Sequence, residues 1–216
     1  MAFIRANMRL EPLPSLPEIS LYTAHPGSGL RRLLEPEDDG ATESHPPYWA
    51  YAWAGGAVLA RYILDRPSTV AGRRVLDLGA GSGLVGIAAA KAGASAVIAA
   101  EIDRNGVAAL GLNAAANGVE ISVIGDDITA GPPPPVGLVL AGDVFYGRDV
   151  ARRVMPFLDR CLADGIEILV GDPRRADLPL ARLKLLAEYP MPDFGDIKGA
   201  ASKPSGVFAF VASDAD

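Results

Sequence analysis

The run Val75-Leu76-Asp77-Leu78-Gly79-Ala80-Gly81-Ser82-Gly83 joins a short apolar stretch ending in an acid to alternating glycines, and a helix-forming stretch starts at Leu84. Strand, glycine turn and helix in that order open a parallel βαβ unit. Glycines let backbone amides approach a ligand with no Cβ in the way, and the helix adds its positive end. A nucleotide-like cofactor is expected there, cradled by Gly79, Gly81 and Gly83. Asp77 faces the same crevice, where it can hold the amino group of a methionine moiety. A dinucleotide has no such group, so the turn points to S-adenosylmethionine (SAM). Gly81 to Gly86 also fits G-x-G-x-x-G. In a dinucleotide site, however, that pattern begins as the strand ends, a place held here by Gly79.

From Val75 onward, β-branched or leucine-rich runs alternate with helical patterns. Strands are expected at Val75 to Leu78, Ala96 to Ala100, Ile121 to Ile124, Gly137 to Ala141 and Glu167 to Val170. Helices are expected at Ala54 to Leu64, Leu84 to Ala92, Asn105 to Ala116, Asp149 to Leu162 and Leu178 to Glu188. This predicts a doubly wound, mostly parallel α/β sheet whose ligand lies beyond the carboxyl ends of the strands. The Pro190 to Pro204 segment and the strand Val207 to Val211 are expected to pair antiparallel at the sheet edge. The tetraproline Pro132 to Pro135 reads as a stiff connector. Residues 1–47, proline-rich and with an acidic patch at Glu35 to Asp39, read as a lead-in that caps the substrate side of a single domain, the SAM-binding body being 48–216.

Further candidates fall at the later strand ends. Ala100-Glu101-Ile102-Asp103 lies some 20 residues past the loop, where an acid takes ribose hydroxyls. Glu101 is the better candidate, and Asp103 reads as the cap of the next helix. Asp126 and Asp127 follow the third strand, where either can accept from an adenine amino group or serve as turn residues. Ala141-Gly142-Asp143-Val144-Phe145-Tyr146 sets a carboxylate and aromatics opposite the expected methyl group. It lacks the Pro-Pro of the Asn/Asp-Pro-Pro-Tyr box used on nucleobase amines. Upstream, Tyr48, Trp49, Tyr51 and Trp53 are either core packing or a lid that excludes water, with Trp53 a candidate cofactor contact.

Composition narrows the class. The chain has 216 residues, half of them apolar, and a net charge of -6. It has no Lys/Arg cluster that could track phosphates, which disfavours nucleic acid as partner. Apolar runs fall short of the roughly 20 residues that span a bilayer. Cys161 is alone and reads as a small core residue in a reducing, cytoplasmic compartment. His25 and His45 are far apart in sequence, so no metal site is expected. Met1 to Leu10 carries Arg5 and Arg9 but reads as mature sequence rather than a transit peptide.

These motifs resemble the seven-β-strand protein methyltransferases and, within them, the electron transfer flavoprotein β-subunit lysine methyltransferases. The resemblance rests on Trp53-Ala54-Gly55-Gly56-Ala57-Val58-Leu59, Val75 to Gly83, Glu101, Asp143 to Tyr146, and Gly171-Asp172-Pro173-Arg174-Arg175. It implies SAM as cofactor and a lysine of the flavoprotein β subunit as substrate. It also implies an essential acid at Asp143 with Tyr146 closing its motif, and a cofactor tryptophan at Trp53. On this reading Asp143 aims the incoming ammonium, while Trp53, Phe145 and Tyr146 dehydrate it. The alternatives are another protein lysine or a small amine as substrate, a SAM-binding regulator without turnover, and a nicotinamide enzyme.

Overall fold

A computed structural model describes residues 1–33, 46–193 and 204–213. The acidic patch at Glu35 to Asp39 and His45 lie outside the described residues. In chain order the elements are α1 (Ala2–Asn7), β1 (Arg9–Leu13), β2 (Leu16–Thr23), α2 (Ala54–Asp65), β3 (Arg74–Leu78), α3 (Leu84–Lys91) and β4 (Ala96–Ala100). They continue with α4 (Arg104–Ala116), β5 (Ser122–Ile124), β6 (Leu138–Gly142), α5 (Arg148–Ala163), β7 (Glu167–Asp172), β8 (Leu183–Pro190) and β9 (Pro204–Phe210).

Seven strands form one sheet in the order β5-β4-β3-β6-β7-β9-β8. The first five are parallel, and β9 inserts antiparallel between β7 and β8. Central strands such as Val75-Leu76-Asp77-Leu78 are buried along nearly their whole length, as strands covered on both faces must be. One face packs on α2 and α3 through Leu59, Ile63, Ile87 and Leu140. The other packs on α5 through Phe157, Leu158 and Cys161. Burial also pushes the Cys161 thiol up to about 11, so it behaves as an inert core residue. Strand order reverses between β3 and β6, which opens a crevice beyond their carboxyl ends.

Two segments depart from the sequence reading. Leu178 to Glu188, rich in helix formers, is a single 3-10 turn at Leu180–Arg182 followed by β8. From Leu183 onward, pairing along β9, interrupted by a bulge between Leu185 and Ala187, supplies a hydrogen-bond ladder that outweighs the helical propensity. The antiparallel edge pair therefore exists, with β8 ending at Pro190 as the partner of β9, and residues 194–203 of the expected Pro190 to Pro204 segment lie outside the described residues. The lead-in is also more ordered than its prolines suggest, because β1 and β2 form a separate two-stranded sheet. Pro12 and Pro17 are tolerated there since both strands are edges. Leu13, Leu16, Ile19 and Leu21 join the main core, and Ile4 and Met8 pack with Trp49 and Leu112.

The amino end of α2 sits directly on the ends of β6 and β7. A Cβ at Gly171 would overlap the carbonyl oxygen of Gly55, and one at Gly142 would lie 2.8 Å from Gly56 Cα. Gly171→Ala is therefore expected to cost about 3 kcal/mol or more. Gly111→Ala on the exposed side of α4, where nothing lies within 4 Å, is expected to gain about 0.5–1 kcal/mol. Calorimetric melting of the two variants checks the contrast.

Candidate active site

A cavity of about 390 Å³ opens at the switch point between β3 and β6. The loop after β3 forms its floor. Gly83 is the residue before α3 and adopts φ 81°, with Leu110 Cγ only 2.8 Å from where a Cβ would stand. Only glycine suits that position. Gly79 and Gly81 line the cavity and Gly83 does not. The turn and the contact with α4 suffice to require glycine at this position.

Asp77 is 1% exposed, and its Oδ2 accepts the Gly86 N–H at 2.8 Å. Glu101 ends β4, accepting from Gly81 N–H at 2.6 Å and Asp103 N–H at 2.8 Å, which leaves lone pairs on both oxygens for hydroxyl donors. Asp103 caps α4 by accepting from Asn105 N–H. Burial raises the Glu101 carboxyl and pushes Asp77 up to about 7, with the Gly86 amide only partly offsetting the latter. No cation among the described residues neutralises Asp77. Asp127 is committed to Thr129, at 2.8 Å from its N–H and 2.6 Å from its hydroxyl, and pairs with Arg153 at 3.4 Å. Asp126 lines the cavity beside it without such a commitment.

Across from the loop, Asp143 follows β6 with φ 57°, a left-handed conformation that non-glycine residues rarely hold and that gathers at functional turns. Its Oδ2 accepts the Gly56 N–H at 3.0 Å. Its Oδ1 accepts both Nε and Nη2 of Arg175 at 2.7 and 2.6 Å. Burial raises its carboxyl above the usual range, and Arg175 opposes that rise. Arg175 also reaches Asp193 at 3.3 Å and lies 5.6 Å over the Trp53 ring.

Sequence reasoning had quoted Arg175 only as part of a motif and had missed Asp193, whose Oδ1 accepts the Ala54 N–H at 3.3 Å. Nothing local marks Arg175 as the partner of Asp143, or Asp193 as a second partner of Arg175. Asn113, also missed, is fully buried, donates to Ser82 O and accepts from Tyr22 N–H, both at 2.8 Å. Its spacing of four from Asn117 on an apolar helix was the available signal.

The aromatics divide. Trp49 is core, whereas Tyr48, Tyr51 and Trp53 stand at the cavity mouth with Tyr146. Trp53 Nε1–H donates to Tyr48 O at 2.7 Å, and the Tyr48 ring lies 5.7 Å from Trp53 and 5.2 Å from Tyr146. Phe145 is fully buried in the core beneath, so it cannot dehydrate a substrate amine. Among the described residues no cluster of His, Cys, Asp and Glu could hold a metal ion, and no helix is long and apolar enough to cross a membrane.

Six carboxyl side chains line this cavity against two guanidinium groups, those of Arg153 and Arg175. An anionic pyrophosphate would meet like charge there, whereas a ligand bearing an ammonium and a sulfonium meets its counter-charge. A doubly wound sheet with such a cavity beside a glycine turn defines a class I SAM-dependent methyltransferase. The ribosomal protein L11 methyltransferase (PrmA) family model matches residues 59–131. The ribosomal protein L11 methylase of Lactobacillus delbrueckii subsp. bulgaricus superposes with a TM-score of 0.54 at 21% identity, over 75% of this chain and 81% of that one. The 16S rRNA N2 G1207 methyltransferase (RsmC) of T. Thermophilus, in complex with AdoMet and guanosine, gives 0.55 at 19%, over 90% and 47%. These likenesses are of fold.

Sequence relatives are more specific. The electron transfer flavoprotein beta subunit lysine methyltransferase of Rattus norvegicus is 38% identical over 89% of this chain and 76% of its own length. That of Xenopus laevis is 34% identical over 97% and 86%, and that of Homo sapiens 36% over 81% and 66%. The chain belongs to the electron transfer flavoprotein β-subunit lysine methyltransferase family, and SAM is its cofactor.

A carboxyl whose folded pKa is raised adds stability below its unfolded value and loses it as pH rises through the folded one. For Asp77 that window runs from about 4 to about 7. Asp77→Asn keeps an acceptor for Gly86 N–H, so without ligand it should melt higher than wild type at pH 8, by on the order of 2 kcal/mol. The difference should vanish near pH 4, and SAM affinity at pH 8 should fall at least about tenfold. Melting curves at both pH values with a calorimetric titration check this.

Proposed function

We propose that this protein transfers methyl groups from SAM to a lysine on the β subunit of electron transfer flavoprotein. The observation that carries this reading is Asp143, a buried carboxylate on the cavity wall facing an aromatic mouth of Tyr48, Trp53 and Tyr146. That arrangement suits a long aliphatic chain ending in nitrogen, since the rings cover methylenes and the carboxylate receives the polar end. Family membership supplies the protein substrate. A lone buried cysteine is in keeping with a reducing compartment, and the cytoplasm is the proposed location.

SAM, when bound, would supply an electrophilic methyl on a cationic sulfur; its transfer to an uncharged amine forms the N–C bond, breaks the C–S bond to leave a neutral thioether, and yields a methylated ammonium that gives up its proton to water. The chain's own residues hold and align the reactants. Asp77 takes the methionine ammonium, and Glu101 accepts from the ribose hydroxyls. Asp126 is better suited than Asp127 to the adenine amino group, because Asp127 is already spent on Thr129 and Arg153. Trp53, pinned by its hydrogen bond to Tyr48, covers the reactive end and excludes water. Asp143 aims the attacking nitrogen and Tyr146 closes the entrance. A lysine with an ordinary pKa of about 10.4 costs roughly 4–5 kcal/mol to deprotonate at neutral pH, a cost that burial beneath the rings and the positive charge of the cofactor's sulfonium would reduce.

Incubating the enzyme with tritiated SAM and purified β subunit should label the subunit, with the methyl on lysine by mass spectrometry. Asparagine tolerates the left-handed backbone of residue 143 and can still accept from Gly56. Asp143→Asn is therefore expected to cut transfer by about 100-fold while changing SAM affinity by less than about threefold. An unlabelled subunit beside a labelled small amine would transfer the assignment to metabolite substrates.

A further inference from the structure

The carboxylate expected to receive the substrate is occupied from within the chain. Both Nε and Nη2 of Arg175 lie within 2.7 Å of Asp143 Oδ1, and Gly56 N–H holds Oδ2. The same guanidinium faces the Trp53 ring, the other surface that would attract a cation. The backbone N–H of Arg175 donates to Asp172 Oδ1 at 2.7 Å, which fixes the loop that delivers it. A nitrogen hydrogen-bonded to Asp143 would stand within about 5–6 Å of the guanidinium, since both touch one carboxylate. An ammonium there meets like charge, whereas an uncharged amine loses nothing and still donates to the carboxylate.

We propose that Arg175 is a positioning residue that neutralises Asp143 in advance, so that the site receives the substrate lysine as an uncharged, nucleophilic amine. This rests on the lysine reading of the same cavity and revises how Asp143 aims its partner. The other charged groups facing the pair are Asp172 from β7, Asp193 beyond β8, and, elsewhere on the cavity wall, Asp77, Glu101, Asp103, Asp126, Asp127 and Arg153. Asp172 is fully buried, and although burial pushes its carboxyl up to about 6, it stays mostly ionised at neutral pH and adds negative charge beside Arg175. Asp193 makes a longer contact with Arg175 and also caps Ala54. The first turn of α2 brings backbone amides only, and the mouth brings the tyrosines 48, 51 and 146.

The test is kcat against pH at saturating SAM and β subunit for wild type, Arg175→Gln and Arg175→Lys. In wild type the rising limb should have its midpoint below the roughly 10.4 of free lysine. In Arg175→Gln the bare carboxylate favours the ammonium, so the limb should move up by about one pH unit or more. Its rate at pH 7 should fall about tenfold, with the gap closing at alkaline pH. Arg175→Lys restores the cation without the planar fork and should return the limb toward wild type. A wild-type midpoint at or above the free-lysine value overturns the proposal, as does a limb that stays put or moves down in both variants. A uniform loss of rate at every pH is the signature of a merely structural arginine and counts against it equally. Wild-type enzyme that transfers nothing to the subunit overturns the substrate reading and this inference together, whereas an active enzyme indifferent to residue 175 overturns the inference alone.

Discussion

The absence of side chains at Gly55, Gly142 and Gly171 sets the distance between α2 and the ends of β6 and β7. Backbone meets backbone there with no room for a Cβ. Because α2 comes this close, the amides of its first turn can be capped by carboxylates from distant parts of the chain. Its own residue before the helix, Trp53, has no capping side chain. Gly56 N–H reaches Asp143 and Ala54 N–H reaches Asp193, and Arg175 bridges the two acids. A helix amino end favours negative charge, so the contact that closes the fold also anchors the proposed catalytic carboxylate. The same helix start puts Trp53 at the cavity mouth.

A second tie runs through Asn113. Its amide donates to the Ser82 carbonyl in the glycine loop, and its oxygen accepts from Tyr22 in β2. Asn117 continues the pattern, accepting from Ser20 N–H at 3.1 Å and donating to Ser20 O at 2.6 Å. Two amides one helical turn apart thus satisfy an edge of the small sheet and hold the floor of the cavity. Buried amides left unpaired are costly, so the lead-in and the loop support each other. Against these ties, Asp77 and Glu101 are buried carboxyls raised by desolvation. A protein that keeps destabilising negative charge inside a cavity is suited to a cationic ligand, and stability is traded for that affinity.

Much of this was legible in the chain because local chemistry agreed with the global fold. Ala96 to Ala100 and the helix near Asn105 to Ala116 lie where hydrophobic period and caps put them, with Asp103 capping as its position implied. The strand-end acids gather at one cavity because parallel strands all deliver their carboxyl ends to the same edge. Leu183–Pro190 was misread because an edge strand pairs through its backbone and needs little side-chain pattern. The lead-in hairpin was hidden by prolines that only edge strands accept. At Gly83, spacing alone cannot distinguish a glycine kept for a ligand from one kept for Leu110.

The sequence by itself determined the parallel α/β class, the glycine turn and the set of acids available to a cofactor, because these depend on period, on backbone freedom and on residues at strand ends. Only the tertiary structure decided which of those acids already have partners. Asp127 is bound to Thr129 and Arg153, and Asp143 to Arg175 from a loop 32 residues away, while among the described residues no ion pair reaches Asp126 or Asp77. Hydrogen bonds and charge pairs between remote segments follow from how the sheet orders its strands, and no local pattern records that order.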